Sequence, residues 1–512
     1  MEFREKEISF KDASIFFCDF KKNGRKIVQC HGTFDLVHPG HVVHFEEAKA
    51  LGDVLVVTLT DEKHVNKGPG RPYFNNELRV KSLSALEMID YVVVIPHPAA
   101  IEAIETVRPD VYCKGKEYAA DGADVTGNFA DDVTAVEKCG GKVAFVGDVV
   151  FSSTKLINQN FTVTTKSVKE FCEQLAQKWS SDDFVSIVDG FQDLKVLVIG
   201  DIILDRYSTV SVQGLTSKNR MLSGRFMDEE TQAGGALAIF RHLKEFTNNL
   251  DLFGFVGQEP WIDEWLKQWI PEESDAILRM GNRTIIKQRF VEPIKDGKEM
   301  SKLFSVNFID SSPPSDKTIS KSLSWLEEHI DNYDLVVAAD FGHGVMAEPI
   351  RSFLQEKAKF LSVNCQTNSN NYGFNIINKR WVDVDCFSLD RKEMALAIAQ
   401  KDFDLAESLT DLKSQLNAKY AWLTLGDEKT ICVNTEQSVI KCAPFETKVV
   451  DTIGAGDAFF ALASLAAVKN VPLEMATFIA QIAGALAVKI VGNRDCIRKG
   501  ELMKSGVSLL NV

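Results

Sequence analysis

The sequence has no long apolar run and no paired-cysteine motif. No segment reaches the roughly 18 consecutive apolar residues of a membrane-spanning helix, and the opening residues contain no uninterrupted apolar stretch. The 10 cysteines are scattered without a Cys-x-x-Cys pair, and most lie in apolar runs, as reduced core thiols do. We therefore expect a cytoplasmic protein with neither a membrane partner nor a disulfide framework.

The sequence also lacks a block of like charges. Its 58 basic and 72 acidic residues give a net charge of −14, and the two signs are mixed along the chain. A protein that coats nucleic acid carries a basic patch, so this balance argues against a nucleic-acid partner. Where basic residues matter here, we expect them to act locally.

Short β-rich runs alternate with helical stretches, and this pattern predicts the fold class. It runs from KIVQC and DVLVVTLT to KVAFVGD and begins again at LKVLVIGDIILD. Such alternation predicts an α/β protein with two doubly wound parallel-sheet domains. We expect a first domain over 1–161, a linker over 162–193 with one helix (VKEFCEQLAQKW), and a second domain over 194–512.

The strand KIVQC leads into HGTFDLVHPGH, which predicts a phosphate site. Gly32 and Thr33 occupy the strand-to-helix turn, and His38 and His41 flank a Pro-Gly pair at the helix start. The helix N-terminus and both imidazoles can donate hydrogen bonds to phosphoryl oxygens. In nucleotidyl transfer each such donor lowers the barrier by about 3–4 kcal/mol, and an ionised phosphate attacks without a general base. Zinc is the alternative for this histidine-rich stretch, but no cysteine or carboxylate completes a usual ligand set.

Over residues 26–160 the chain resembles the nucleotidyltransferase superfamily, whose members carry an HxGH signature after the first strand. The resemblance implies that His38, His41 and Lys49 are catalytic, and that Lys67, Arg71 and the Glu77–Arg79 pair belong to a basic loop and helix. VYCKGKEY is similar to the lysine-glycine turn of sugar-phosphate adenylyltransferases, and VVFSSTKLI to their closing helix start. The phosphate-binding residues implied are Gly32, Thr33, Phe34, Lys114, Ser152, Ser153 and Thr154. An ordinary helix cap is the alternative for the last three.

Near the end of the chain, KVVDTIGAGDAFF predicts a second phosphate site. Gly454, Ala455 and Gly456 present consecutive backbone N–H groups at a helix start, which suits a transferred phosphoryl group. Asp457 follows directly and can accept the proton of an attacking sugar hydroxyl. The alternative is a carboxylate that only complements the helix dipole.

Residues 194–505 resemble the ribokinase-like sugar kinases. The resemblance implies that Asp205, Gly234 and Gly235 bind the sugar, that Gly426 lies in the nucleotide loop, and that Glu393, with Asp390, organises magnesium indirectly. It also aligns Thr284, Lys287, Arg289 and Asp340 with family segments. The chain departs from the family at Ala238, Asp390, Lys429 and residues 208–223, which puts the sugar specificity in doubt.

Together the halves resemble the bifunctional heptose-phosphate kinase/adenylyltransferases of bacterial ADP-heptose and lipopolysaccharide biosynthesis, with the domain order swapped. The resemblance implies Mg²⁺, ATP or another nucleoside triphosphate, sugar phosphates as small-molecule partners, and a homodimer through the kinase domain. Two alternatives stay open. One is a cytidylyltransferase acting on a polyol or sugar phosphate, and the other is a second domain that only binds sugar or dimerises.

Overall fold

A computed structural model gives the conformation of most of the chain. Residue contacts divide it into two compact units, Met1–Ser181 with Met503–Val512, and Asp182–Leu502. The described residues are 6–65, 71–116, 128–147, 165–270, 276–279, 283–293, 300–310, 312–368, 371, 373–436 and 438–511. Within these ranges no helix is both long and apolar enough to cross a membrane.

The first unit is built on a five-stranded parallel sheet with the order β3-β2-β1-β4-β5. Its strands are β1 (Ile27–Gly32), β2 (Val54–Thr60), β3 (Tyr91–Ile95), β4 (Val111–Gly115) and β5 (Lys142–Val146). Its helices are α1 (Phe10–Lys22), α2 (Pro39–Lys49), α3 (Asn76–Ser84), α4 (Ile101–Val107), α5 (Asn128–Lys138) and α6 (Lys166–Ala176), with a 3-10 turn at Glu62–His64. The strand order reverses beside β1, so a crevice opens at the carboxyl ends of β1 and β4.

Apolar cores cover both faces of this sheet. On one face Phe45 of α2 packs with Val28 and Leu55, and on the other Phe17 of α1 packs with Val56 and Tyr91. All seven residues of β2 are buried, which explains why its sequence is nearly continuous in apolar residues.

The region predicted as a linker contains two helices, not one, in its described part. After α6, the SSDD stretch that we expected to be irregular begins α7 (Ser181–Asp189). Asp182 and Asp183 lie in its first turn, where carboxylates are stabilised by the helix dipole, and Phe184 and Val188 are buried. The polar start therefore reflects a helix N-terminus.

The second unit contains a nine-stranded sheet with the order β10-β9-β6-β13-β14-β15-β16-β17-β18. It is parallel up to β16, and β17 and β18 extend it antiparallel. The strands are β6 (Lys195–Gly200), β9 (Asn249–Val256), β10 (Ile277–Arg279), β13 (Leu335–Asp340), β14 (Leu361–Cys365), β15 (Cys386–Asp390), β16 (Tyr420–Thr424), β17 (Thr430–Asn434) and β18 (Val439–Cys442).

Helices flank this sheet. They are α8 (Ala236–Lys244), α9 (Ile262–Leu266), α10 (Asp316–His329), α11 (Glu348–Lys357), α12 (Ile377–Arg380), α13 (Arg391–Ile398), α14 (Leu405–Gln415), α15 (Ala455–Val468), α16 (Leu473–Ala487) and α17 (Lys499–Leu510), with a 3-10 turn at Ile330–Asn332. The helices α15 and α16 are buried along most of their length, and Ala238, one of the family departures, is buried in α8.

A further four-stranded sheet, here called the second sheet, was not predicted from the sequence. Its order is β12-β11-β7-β8. Its strands are β7 (Ile202–Leu215), β8 (Leu222–Gly235), β11 (Ile285–Val291) and β12 (Lys302–Phe308). The run LVIGDIILDRY, which reads as one strand, divides at Asp201. The buried carboxylate of Asp201 accepts the backbone N–H groups of Phe341, His343 and Val345 at 3.0–3.1 Å, and the chain passes from one sheet to the other there.

Candidate active sites

The loop between β1 and α2 brings its aromatic side chains together above the sheet. Phe34 has a φ of 45°, and its ring packs against His41 and Phe45 with centroids 5.3 and 5.2 Å apart. A Cβ on Gly32 would lie 3.0 Å from the Phe34 ring. Glycine at this position therefore allows the close approach that shapes the loop.

His38 and His41 lie side by side at the start of α2. Their rings stack with centroids 3.9 Å apart, and the His38 carbonyl accepts the His41 N–H at 2.8 Å. Burial lowers the pKa of His38, which keeps its imidazole neutral near pH 7. A neutral imidazole donates from one nitrogen only, so each ring can supply one directed hydrogen bond to a phosphoryl oxygen.

Asp35, which was not predicted as a site residue, holds the signature loop to the chain that precedes α3. Its buried carboxylate accepts the backbone N–H groups of Tyr73 and Phe74 at 2.8 and 2.9 Å. It also forms a buried ion pair of 3.2 Å with Arg71. The loop is therefore fixed by groups on both of its sides.

Arg79 holds this loop from below. Its Nη1 donates to the carbonyl oxygens of Thr33 and Thr60 at 2.8 and 3.0 Å. Because the guanidinium is buried and bonded to backbone, Arg79 acts on the loop geometry.

Lys114 lies at the end of β4, beside the end of β1. The register pairs Cys30 with Cys113, so Lys114 is level with His31. Burial and the Lys114 charge lower the pKa of His31 to about 3. Lys114 also forms a 3.1 Å ion pair with Asp132. The structure thus brings Lys114 to the same sheet edge as Gly32.

Lys49 does not join the histidines, contrary to the sequence expectation. It is the last residue of α2, whereas His38 and His41 lie at its first turn. Its ammonium donates to the Asp53 carbonyl at 2.8 Å and is paired with Asp90, which also accepts the Leu55 N–H. These partners precede β2 and β3, so Lys49 lies at the amino edge of the sheet.

We expect Lys49→Met to leave nucleotidyl transfer within a few-fold of the parent. The substitution removes a partly exposed ion pair, whose loss costs about 1 kcal/mol or less. Thermal unfolding and pyrophosphate release measure the two effects separately. A hundredfold loss of turnover with an unchanged melting temperature would restore Lys49 to the catalytic set.

Four predicted phosphate-site residues lie outside the described residues, namely Lys67, Ser152, Ser153 and Thr154. At the end of β5 the Gly147 amide donates to Glu47 of α2 at 2.7 Å, which ties this end of the sheet to the same helix. In the part of the chain that the structure describes, no group of three His, Cys, Asp or Glu side chains could hold a metal ion.

In the second unit a cleft of about 310 Å³ lies where the second sheet meets the carboxyl ends of the parallel strands. Residues from β7 and β11 line one side of it, and residues that follow β14, β15 and β16 line the other. The turn before α15 closes its end. Sequence-predicted residues that line the cleft are Asp205, Gly235, Lys287, Arg289, Asp390, Glu393, Gly454, Gly456 and Asp457.

The glycine turn, residues 452–456, leads into α15. Gly454 has a φ of 82°, and a Cβ there would lie 2.2 Å from the Asn493 side-chain oxygen. The space beside Gly456 is open, which leaves room for a ligand near the helix start. The turn therefore has the geometry expected of a phosphate site at a helix N-terminus.

Asp457 lies in the first turn of α15 and is 8% exposed. Burial raises the pKa of its carboxyl group to about 7, although the Gln366 side chain donates a 2.8 Å hydrogen bond to it and opposes that rise. A carboxylate that titrates near neutral pH is suited to general-base work. Asp457 thus has the burial, the position and the proton affinity that phosphoryl transfer to a hydroxyl requires.

The predicted sugar ligand Asp205 is already engaged by protein groups. Its carboxylate pairs with Arg289, and Asn493 Nδ2 donates to it at 3.2 Å. A Cβ on Gly234 would lie 2.4 Å from Asp205 Oδ2, and Gly235 has a φ of 59°. The double glycine therefore lets β8 run close to the acceptor side of the cleft.

Lys287 reaches the same side from β11. Its register partner on β7 is Asp205. Burial lowers the pKa of Lys287, while the charges of Asp205, Asp201 and Asp457 act in the opposite direction. The acceptor side of the cleft thus combines two cations with carboxylates.

Glu393 and Asp390 form a capping box at the start of α13. Asp390 accepts the Glu393 N–H at 2.7 Å, and the Glu393 carboxylate accepts the N–H groups of Asp390 and Thr367 at 2.9 and 3.0 Å. Burial and the Asp390 charge raise the pKa of Glu393 to about 8. Because its oxygens already accept backbone donors, Glu393 suits the indirect role predicted for it.

Three residues aligned with the family lie elsewhere in the unit. Asp340 is fully buried and accepts from Arg380 and Trp381 at 3.0 and 3.1 Å, and Thr284 is bonded to Glu259 at 2.7 Å. Both therefore stabilise the fold. Gly426, with a φ of 60°, lies in the turn between β16 and β17, close in sequence to Thr424 at the cleft.

Sequence reasoning missed Gln366 and Asn493, which line the cleft and contact its central carboxylates. Gln366 directly follows β14, and polar residues after parallel strands meet at one sheet edge, so that signal could have found it. Asn493 lies 288 residues from Asp205, and its own surroundings carry no motif.

We expect Gln366→Leu to move the pH dependence of the kinase. Turnover by a carboxylate base rises with pH as the group ionises, here through about pH 7. The Gln366 donor favours the ionised form, so its loss raises the pKa of Asp457 and shifts the acidic limb of kcat/KM to higher pH. Gln366→Glu, which lacks the amide donor, should shift it in the same direction. Coincident profiles for parent and both variants would contradict this assignment.

Comparison with known proteins divides the chain in the same way. Residues 30–171 match the family model described as cytidylyltransferase-like, and residues 309–499 match that of the pfkB family carbohydrate kinases. The chain therefore contains a cytidylyltransferase-like segment followed by a pfkB family carbohydrate kinase segment.

Curated relatives match over a shorter stretch. The bifunctional protein HldE of Pseudomonas fluorescens is 36% identical over 154 residues, which is 29% of this chain and 30% of the relative. HldE of Desulfatibacillum aliphaticivorans is 37% identical over 142 residues, 27% and 28% of the two chains. The chain thus spans less than a third of these relatives. The solved ribokinase of Thermotoga maritima aligns at 14% identity with a TM-score of 0.47, over 61% of this chain and 99% of that one.

Proposed function

We propose that the chain is a bifunctional enzyme of nucleotide-sugar synthesis. The N-terminal unit transfers a nucleotidyl group, AMP in our proposal, from a nucleoside triphosphate to a sugar 1-phosphate and releases pyrophosphate. The C-terminal unit phosphorylates a sugar of the heptose-phosphate type with ATP. The observation that carries this proposal is that each unit has its own helix N-terminus, with side chains suited to phosphate chemistry, at the carboxyl edge of its own parallel sheet.

For the transferase, the support comes from the stacked histidines. His38 and His41 each offer a directed donor to the α-phosphate and the departing pyrophosphate, and the amides at the start of α2 add the helix dipole. Asp35 and Arg79 hold the loop from both sides, so these donors are preorganised. Lys114 supplies a positive charge at the neighbouring strand end.

For the kinase, the support comes from Asp457 and the glycine turn. Asp457 takes the proton of the attacking hydroxyl while the amides that follow Gly454 bind the transferred phosphoryl group. Asp205, Gly234 and Gly235 form the acceptor side in this proposal. Lys287 and Arg289 give that side a cationic character that suits a phosphorylated sugar.

Magnesium enters this proposal with the triphosphate. Mg²⁺ keeps several waters and binds through one or two carboxylates together with phosphates, and it neutralises charge on the phosphoryl group in transfer. Asp390 and Asp457 line the cleft and fit such a set, with Glu393 acting indirectly through the capping box. We also propose a cytoplasmic location, since both reactions consume nucleoside triphosphate, and a homodimer through the kinase unit.

The alternative is a cytidylyltransferase for a polyol or sugar phosphate beside a divergent or non-catalytic second unit. The cytidylyltransferase-like match favours this nucleotide, and the engaged state of Asp205 favours a changed acceptor.

A screen of the four nucleoside triphosphates against sugar 1-phosphates and polyol phosphates, with pyrophosphate release as the readout, separates the two readings. ATP with a sugar 1-phosphate is the expected pair. CTP with a polyol phosphate would replace our proposal by the alternative. Sugar-dependent ADP release across heptose, ribose and polyol phosphates tests the second unit in the same preparation.

A further inference from the structure

Lys302 lies at the start of β12 in the second sheet, and its ammonium group contacts a carboxylate outside that sheet. Its Nζ lies 2.7 Å from Oδ1 of Asp451, which directly precedes the glycine turn. The Asp451 side chain is fully buried, whereas that of Lys302 is 35% exposed. A buried carboxylate is costly unless it is paired and hydrogen-bonded, and Lys302 supplies the charge partner.

The same carboxylate accepts two backbone N–H groups from different sides of the cleft. Oδ1 accepts the Ile453 N–H at 3.2 Å within the glycine turn, and Oδ2 accepts the Gly492 N–H at 2.9 Å. The next residue, Asn493, donates to Asp205 on the acceptor side. Asp451 therefore connects the phosphate side of the cleft to its acceptor side.

The contact between Lys302 and Asp451 is part of a wider attachment of β12 to this region. The Met300 N–H donates to the carbonyl of Val450 at 3.1 Å, one residue before Asp451. Across the described ranges, Lys302 is the one Lys or Arg that forms an ion pair with Asp451. The charge that balances Asp451 thus comes from the second sheet.

We infer that Lys302 is a positioning residue for phosphoryl transfer, a cation built into the second sheet that holds Asp451 and, through it, the glycine turn and Asn493. This inference rests on the proposed kinase function. Without the ammonium group, Asp451 keeps its backbone donors but loses its charge partner, and both connected segments are free to shift. A displacement of about 1 Å in a catalytic group costs about a hundredfold in rate.

The test uses the full chain with Lys302→Ala and sugar-dependent ADP formation. We expect kcat to fall by about tenfold to a hundredfold, with a smaller change in the KM for ATP, since the displaced groups act most on the transition state. Methylammonium chloride should restore at least several-fold of the lost rate, because the small cation fits the space of the deleted side chain. Tetramethylammonium chloride at equal ionic strength, which has no N–H donor, should not.

Two variants serve as controls. Lys302→Arg keeps the charge and should retain most activity. Lys419→Ala removes another half-exposed ion pair, with Asp385 at 2.9 Å, at the amino end of β16, and it should leave both the rate and its response to amines unchanged. If Lys302→Ala does not fold, Lys302→Gln, which keeps the side-chain length, takes its place.

The inference is overturned if Lys302→Ala is fully active, or if its activity is lost and methylammonium restores none of it. If the parent forms no ADP with any acceptor, the kinase proposal fails by itself. Calorimetric ADP binding then decides the role of Lys302. Binding weakened about tenfold and restored by methylammonium supports it, and equal affinities in parent and variant overturn it.

Discussion

Replacing Asp457 with asparagine should lower phosphoryl transfer to the sugar by about two to four orders of magnitude while ATP still binds. Asparagine keeps the size of the side chain and can still accept the 2.8 Å hydrogen bond from Gln366, but it cannot take a proton. The backbone amides of the glycine turn are unchanged, so the nucleotide keeps its phosphate contacts. Sugar-dependent ADP release gives the rate, and calorimetry gives the nucleotide affinity.

The same measurement separates a kinase from a binding module. A non-catalytic second unit predicts no sugar-dependent ADP release in the parent under any acceptor, and no change on substitution. An active parent with a fully active Asp457→Asn variant would contradict the base mechanism and leave the fold assignment intact. Pyrophosphate release by the first unit serves as the internal control, since Asp457 belongs to the other unit.

His41→Ala should lower nucleotidyl transfer by roughly a hundredfold or more, which is the scale for the loss of one transition-state donor. The ring of His41 stacks on His38 and contacts Phe34, so the variant also removes the group that orients its neighbours. Pyrophosphate release measures the effect, and sugar-dependent ADP release should stay near the parental rate.

His44 provides the matched control for this substitution. It lies one helical turn further along α2, where a Cβ on Gly147 would be 3.4 Å from its ring, and it is not part of the His38–His41 stack. We expect His44→Ala to reduce transfer much less than His41→Ala does. Equal losses at the two positions would point to a shared structural or metal role in place of phosphate contact.

Reasoning from sequence located the two phosphate turns because each is a local feature. The strand, the glycine-containing turn and the helix start all lie within about a dozen residues, and the strand is apolar because both sheet faces are covered. Lys49 is different. Its sequence distance from the histidines suggested a shared site, but they occupy opposite ends of α2, and Asp90, which pairs with Lys49, comes from a different loop.

The sequence by itself determined the α/β class, the two parallel sheets and the positions of His38, His41 and Asp457, since periodicity and turn chemistry act over short stretches of chain. Only the tertiary structure decided that Gln366 bonds Asp457, that Asn493 reaches Asp205 and that Lys302 pairs with Asp451. These partners are 91, 288 and 149 residues apart, and their contacts depend on how the second sheet and the strand ends pack. A local pattern cannot encode that packing, because it arises from burial of side chains contributed by the whole unit.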